Sequence, residues 1–241
     1  EIFYNNGTGL FNQASANIAN VIFKENNIGI HSGGNTTLTN VLIDGNNQGG
    51  INAIFGNSVN VINSTILNNE GHGIYLRGCP NLNVLNSIIY DNNGPQIKFE
   101  SYTGYSPSNA SVHYSDILGG LSGISFANGT LDYGEQNINA LPLFCDAEED
   151  DYRVSENSPC IGSGENGVNM GAFGIGCDAI PGPVLTNIDD QQIQEDDSLA
   201  INISAISQNG SNLNLFVSSD TSNVFAELND TSLVVFSQSN W

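Results

Sequence analysis

Paired asparagines return along the first part of this chain at Asn5-Asn6, Asn26-Asn27, Asn46-Asn47, Asn68-Asn69 and Asn92-Asn93, in steps of 21, 20, 22 and 24 residues, each pair followed closely by glycine. A period near 22 is too short to enclose a core by itself, so the repeating unit must bury its apolar face against its own neighbours. Ahead of the pairs stand short apolar runs, Val21-Ile22-Phe23, Val41-Leu42-Ile43, Thr65-Ile66-Leu67 and Ile88-Ile89-Tyr90. Such residues suit a pleated surface. After the pairs comes a second apolar touch, Gly29-Ile30, Gly50-Ile51, Gly73-Ile74-Tyr75-Leu76, then Ile97 and Phe99. A third stretch alternates polar and apolar residues, as in Thr37-Leu38-Thr39 and Asn81-Leu82-Asn83-Val84, the mark of a strand with one wet face. Three short strands per period, without helical spacing, predict one rung of an all-β parallel solenoid.

The asparagines have a physical role in such a stack. Sharp corners need left-handed backbone angles, which Asn tolerates better than other non-glycine residues and Gly adopts freely. With coils about 4.8 Å apart, the amide side chains can also bond to those above and below. The expected ladder is Asn6, Asn27, Asn47, Asn69 and Asn93. Asn20, Asn40 and Asn86 sit six residues ahead of a beat and suggest a second one, which the third coil breaks by placing Ile62 in that register and its asparagine at Asn63.

The chain has 25 acidic and 4 basic residues, a net charge of −21 and a pI near 4.1. Nucleic acid and anionic membranes need positive charge, so both are excluded as partners, and unaided binding of a polyanionic polysaccharide is disfavoured. An acidic surface suits Ca²⁺ or solubility in salt. No stretch is long enough to span a membrane and no signal peptide is visible; because the pattern starts at Glu1, an upstream segment is expected to have been removed or left out. Eight Asn-x-Ser/Thr sequons, at Asn6, Asn35, Asn63, Asn109, Asn128, Asn202, Asn209 and Asn229, approach what chance supplies in so Asn-rich a chain. The four cysteines form no CxxC and lie far from the three histidines, so a zinc site is not expected. Three of them cluster late in the chain, where the expected disulfide joins Cys145 to Cys160; Cys79, before Pro80, is expected to be a buried free thiol.

Asn86-Ser-Ile-Ile-Tyr-Asp-Asn-Asn and Val112-His-Tyr-Ser-Asp-Ile-Leu-Gly-Gly resemble the last coils of bacterial right-handed parallel β-helix proteins. Pro142-Leu-Phe-Cys-Asp, Asp151-Tyr-Arg-Val, Asn157-Ser-Pro-Cys-Ile-Gly and Met170-Gly-Ala-Phe-Gly resemble the closing segment of many secreted members. The resemblance covers residues 1–178 and implies a right-handed β-helix. The activities it implies are mixed: polysaccharide lyases, glycosidases, and surface proteins without chemistry. The expected first domain is 1–179. Ile180-Pro-Gly-Pro reads as a linker, placed at 180–184. From Leu185 to Leu199 the text resembles the start of bacterial Ig-like or cadherin-like repeats, with strands expected at Leu199 to Ser204, Leu213 to Val217 and Ser232 to Phe236. Residues 185–241 are short for a seven-stranded sandwich, so this module is expected to be truncated or completed by another chain.

Several groups are candidates for function. A lyase needs a base and a cation beside a uronate, but Lys24, Arg77, Lys98 and Arg153 fall at different offsets from the beats and are not expected to share a patch. A glycosidase needs two carboxylates roughly 5 to 10 Å apart; Glu25, Asp44, Glu70 and Asp91 flank the beats, with Asp44 and Glu70 the pair chosen, while His72 reads as a turn residue. Asp146, Glu148, Asp150 and Asp151, with Glu149, crowd one loop that suits Ca²⁺ or is simply an acidic loop. Asp189, Asp190, Glu195, Asp196 and Asp197 form a second acidic cluster. Tyr102 and Tyr105, in an insertion over 99–115 and near Tyr114 and Phe126, either stack on sugar rings or cap the apolar end of the helix.

The expectation is a secreted or cell-surface structural or adhesive protein without catalysis, its partners a polysaccharide or further copies in a filament, since coils open at Glu1 would expose unpaired backbone groups. The alternative is a carbohydrate-active enzyme with its site on a flank of the helix.

Overall fold

The computed structural model describes residues 1–241 apart from 5–6, 56–57, 80, 106, 128, 183, 186–190, 193, 195–196, 204, 207–216, 218–223, 230–231 and 238–241. Asn6, most of the second acidic cluster, Pro183 of the linker, the expected strand from Leu213 up to Val217, and the sequons at Asn128 and Asn209 lie outside the described residues. The chain divides into two compact units, Glu1–Ala179 and Ile180–Trp241.

In the first unit the chain visits three parallel sheets in turn, six strands in each. Sheet A stacks Ile2–Tyr4, Ile22–Lys24, Leu42–Asp44, Thr65–Leu67, Ile88–Tyr90 and Asp116–Ile117. Sheet B stacks Thr8–Asn12, Ile28–Ser32, Gly49–Ile54, His72–Arg77, Ile97–Glu100 and Ile124–Phe126. Sheet C stacks Ala16–Ala19, Thr36–Thr39, Ser58–Ile62, Asn81–Leu85, Ser108–His113 and Gly129–Tyr133. The interior consists of side-chain columns: Phe3, Phe23, Ile43, Ile66, Ile89 and Ile117 from sheet A; Leu10, Ile30, Ile51, Ile74, Ile97 and Ile124 from B; Ile18, Leu38, Val61, Val84 and Val112 from C. Each buried aliphatic contributes about 1.5–3 kcal/mol relative to exposure, and the parallel register repeats that gain coil after coil.

A buried asparagine ladder runs along the corner between sheets A and B, one position away from the expected one in three coils. It consists of Asn26, Asn46, Asn69 and Asn92 and ends on Gln96. The Asn46 amide nitrogen donates to Asn69 Oδ1 at 2.8 Å, and Asn69 in turn to Asn92 at 2.7 Å. Each lower backbone N–H also donates to the carboxamide above, at 2.9–3.2 Å. Asn27 is only half buried, and Asn47 and Asn93 are exposed. The physical reason is parity: after the left-handed residue at the corner (Glu25, Gly45, Asn68, Asp91) the next side chain turns inward and the following one outward. The beat slides in the third coil, where Asn68 takes the corner and Asn69 the ladder.

Glycine in each beat serves space rather than turn geometry. A Cβ on Gly50 would lie 2.6 Å from Gly73 O and 3.1 Å from Asn69 Nδ2, and Gly29 and Gly73 are equally confined. At the corner between sheets C and A, Asn20, Asn40, Asn63 and Asn86 all adopt left-handed angles, φ 46 to 58°. Asn40 donates to Asn20 at 3.2 Å and Asn86 to Asn63 at 3.3 Å. The apparent break at Ile62 is a lengthening of the coil from 20 to 23 residues. Beside this corner runs a column not anticipated, the buried Ser64, Ser87 and Ser115 continued by the half-buried Asn137, each taking the backbone N–H of the coil below.

The closing segment pairs Phe144–Asp146 with Asp151–Ser155, and that strand with Ile175–Cys177. It covers the outer face of sheet A. Tyr152 packs on Leu42 and Leu67, while Val154, Cys160 and Met170 pack on Ile88. From Leu42–Asp44 onward sheet A is therefore buried on both faces, which is why its strands read Leu-Ile-Asp and Thr-Ile-Leu without alternation, while Ile2 and Tyr4 of its first strand stay exposed. The disulfide joins Cys145 to Cys177, not to Cys160. Cys160 is a fully buried thiol donating to Asp116 at 3.4 Å, and Cys79 is a second buried thiol outside the disulfide, donating to Asn81 O at 3.7 Å. The reason is placement: Cys145 and Cys177 lie on the outer strands of the small sheet, whereas Cys160 points into the core against sheet A.

The second unit holds Val184–Leu185 antiparallel to Ala205–Ile206, and a sheet ordered Ser198–Asn202, Ser232–Ser237, Val224–Asn229, also antiparallel. Val224–Asn229 was not foreseen, its period masked by Glu227 and Asn229.

Candidate functional site

Of the three outer faces, A is covered by the closing segment beyond its first strand, and sheet B carries Arg77 and Lys98, two of the four basic side chains, beside Phe11, His31 and Tyr75. Strand alternation sends Ile74 and Leu76 inward and Tyr75 and Arg77 outward; on the next strand Ile97 and Phe99 go in, Lys98 and Glu100 out. Register places Phe11, His31, Asn52, Tyr75 and Lys98 in one outward row, with Ile54, Arg77 and Glu100 in a second. The earlier expectation that the basic residues share no patch is corrected for Arg77 and Lys98. Offsets from the beat mislead because the segment between beat and strand varies in length.

Within the rows, Phe11 and His31 stack at 4.9 Å. The Tyr75 hydroxyl donates to Glu100 at 2.5 Å, and Lys98 Nζ lies 4.0 Å from the same carboxylate and 5.6 Å over the Tyr75 ring. Burial, then the Glu100 bond, pushes the Tyr75 hydroxyl up to about 12, while that bond holds Glu100 below its ordinary value. His72, a strand residue and not a turn residue, lies 5.5 Å from the Tyr75 ring; burial lowers its pKa, with Lys98 adding to the effect. Burial also lowers that of His31. His72 Nδ1 and Arg77 Nε are the buried side-chain polar atoms that lack a hydrogen-bond partner among the described residues. Such atoms are uncommon in folded proteins, and both belong to this face.

At the corner toward sheet C the face ends in an aromatic cluster. Phe55 packs on Tyr102 at 4.8 Å and Tyr105 at 4.9 Å, the two tyrosines lie 5.5 Å apart, and the Arg77 guanidinium stands 4.6 Å over Tyr102. Exposures of 43, 40 and 48 % leave all three rings open to solvent. Phe55 adopts φ 54°, a strained angle for a bulky residue, and Gly78, φ 60°, takes the same corner one coil on. A Cβ on Gly78 would meet the Tyr105 ring at 3.1 Å and Phe55 at 3.2 Å. Tyr102 and Tyr105 thus form a side platform; Phe126 packs edge-on to Phe99 instead. Beside it Gln13, His31, Gly33, Ile54 and Phe55 line an open depression of about 490 Å³.

The other candidates lie elsewhere. Asp44, 3 % exposed, sits beneath the closing segment, where Asn68 donates to it at 2.9 Å and Lys24 lies 3.8 Å away; burial raises its pKa despite bonds from Asn68 and Tyr152. Glu70 is exposed and accepts from Asn93 at 3.2 Å. The hydrogen-bond partners of the two carboxylates do not overlap, and no reactant reaches Asp44 with the segment in place. Glu25 and Asp91 do share a corner column, separated by Gly45 and Asn68. In the acidic loop, Asp146 caps the Glu149 N–H at 3.3 Å, Glu148 is exposed, Asp150 pairs with Lys24, and Asp151 takes Arg153 through two bonds of 2.7 and 2.6 Å. Two of the four carboxylates are thus engaged by cations.

Phe55 escaped sequence reasoning and His72 was read as a turn residue; for the outward rows one signal was present, since Tyr75 with Arg77 and Lys98 with Glu100 stand at alternate positions, hence on one face.

Comparison with known proteins gives a match to the right-handed beta helix region over residues 1–133. No curated protein and no solved structure matches significantly. The family contains structural and surface proteins as well as carbohydrate-active enzymes. A repeat of 20 to 28 residues, three parallel sheets in register and a match over more than half of its length place this chain in the right-handed β-helix family.

Proposed function

We propose that this chain is a secreted or cell-surface structural protein that contacts glycans through the outer face of sheet B without transforming them. The observation that carries this reading is the exposed Phe55, Tyr102 and Tyr105 cluster with Arg77 against it. Open aromatic faces stack on pyranose rings, and flanking polar groups orient the sugar hydroxyls. The Cys145–Cys177 bridge supports an oxidising compartment, and the resemblance of the second unit to Ig-like repeats supports surface display. A glycan array probed with the full chain tests the reading: retention on polysaccharides is expected to fall at least tenfold in Tyr102→Ala with Tyr105→Ala. Equal retention by this variant refutes it. Filament formation through coil ends belongs to the same proposal, and light scattering showing only monomer at high concentration counts against it.

A second reading, a carbohydrate-active enzyme, is favoured by the cluster of His72, Tyr75, Lys98 and Glu100 on that face. Turnover of neutral or anionic polysaccharides, with or without Ca²⁺, that disappears in Tyr75→Phe would replace the first reading with this one.

A further inference from the structure

Sheet B's outer face also specifies the kind of glycan, an inference that rests on the glycan-contacting reading above. The chain carries −21 charges and four basic side chains. Lys24 is held by Asp150, Glu25 and Asp44, and Arg153 by Asp151. His113 lies against Asp132 at 3.1 Å. Arg77, by contrast, has no carboxylate within ion-pair distance among the described residues, and Lys98 reaches only Glu100, at 4.0 Å, whose charge Tyr75 already binds. Arg77 and Lys98 therefore lie on neighbouring strands of a face whose two outward rows contain one carboxylate, Glu100, which both cations attract and Tyr75 binds; Arg77 stands over the open Tyr102 ring and Lys98 over Tyr75. The chain as a whole carries 25 acidic residues against these and two other basic ones.

We propose that this corner takes one sugar unit bearing a single negative group, carboxylate or sulfate. Its ring lies against Tyr102, Tyr105 and Phe55, and its anionic group sits at Arg77 and Lys98. Two donors of different shape, a planar fork and an ammonium point charge, suit a single oxyanion. A second and third charge along the same glycan would leave these two cations behind on a chain of net charge −21, within reach of its repulsion at a screening length of about 8 Å. The expected ligand is thus a sparsely charged glycan, not a polyanion.

Isothermal titration of the full chain with three hexasaccharides tests this: one neutral, one carrying a single terminal glucuronate, and hexagalacturonate. The singly charged probe is expected to bind tightest, about tenfold above the neutral one. The Arg77→Gln, Lys98→Gln variant should bind the singly charged probe no tighter than it binds the neutral one, and Lys98→Gln alone, on the outer face, supplies the same comparison if the double variant misfolds. Equal affinity for neutral and singly charged probes overturns the inference while leaving the glycan reading intact; so does hexagalacturonate binding tightest. No binding of any probe overturns both. A dimer that these substitutions dissociate would assign the cations to a second copy and likewise overturn the proposal.

Discussion

Replacing Asn69 by alanine isolates the contribution of the buried ladder. Its Oδ1 accepts the Asn46 backbone N–H at 3.0 Å and the Asn46 side-chain amide at 2.8 Å; its own amide donates to Leu67 O at 2.9 Å and Asn92 Oδ1 at 2.7 Å. Truncation strands the Asn46 N–H in the interior, because Asn46 and Asn69 are both fully buried, while the Asn46 amide keeps Asp44 O at 3.2 Å and Asn92 keeps the Asn69 N–H at 3.2 Å. One orphaned buried donor costs about 1–3 kcal/mol, and the small void adds about 1 kcal/mol. The expected loss is therefore about 2–4 kcal/mol. Asn93→Ala, which removes one exposed bond to Glu70, should change stability by less than about 0.5 kcal/mol. Urea unfolding followed by far-ultraviolet circular dichroism, with both variants beside the parent, gives the difference. Equal midpoints for the two variants would show that the ladder contributes nothing beyond its exposed neighbours, and the parity argument would fall.

Asp116, fully buried, has its carboxyl pushed up to about 6 by burial, against bonds from Ala140 and Cys160. Its folded value lies above its unfolded one, so its stabilisation is complete below about pH 4 and declines as pH rises through 6; Asp116→Asn should flatten that slope in urea midpoints measured from pH 4 to 7. Cys177→Ser opens a loop of sequence separation 32, expected to cost about 3–4 kcal/mol and to speed proteolysis of the closing segment; unchanged proteolysis would contradict its role as a clasp. Gly78→Ala forces a left-handed alanine, about 1–2 kcal/mol, and drives its Cβ into Tyr105 and Phe55; glycan retention should fall with the coils still folded by circular dichroism, and unaltered retention would refute the platform.

The stacking of coils was legible because periodic apolar runs and corner asparagines both obey the solenoid repeat. The ladder's exact members were not, since one residue decides whether a side chain faces in or out, and Asn26 with Asn27 offers both choices. The Ser64, Ser87 and Ser115 column escaped notice because an isolated serine carries no periodic signal of its own. Cys145 with Cys177 depended on their two strands flanking Asp151–Ser155 in the small sheet, a long-range fact absent from spacing. Of the site, the tyrosines stood out as an aromatic insertion, but Phe55 lies about two coils away in sequence and meets them only through the register of sheets B and C. Arg77 and Lys98 were hidden by counting from the asparagines instead of from Ile74 and Ile97, the inward residues that pair.

Tyr102 and Tyr105 follow the B-sheet strand Ile97–Glu100 and precede the C-sheet strand Ser108–His113, in a coil that reaches 28 residues without disturbing either neighbour's pairing. Length added at that vertex changes no interior column and leaves the tail-protected flank untouched. New contact surface can thus be grafted there by insertion alone, rung by rung, so recognition is free to diversify while the scaffold stays the same.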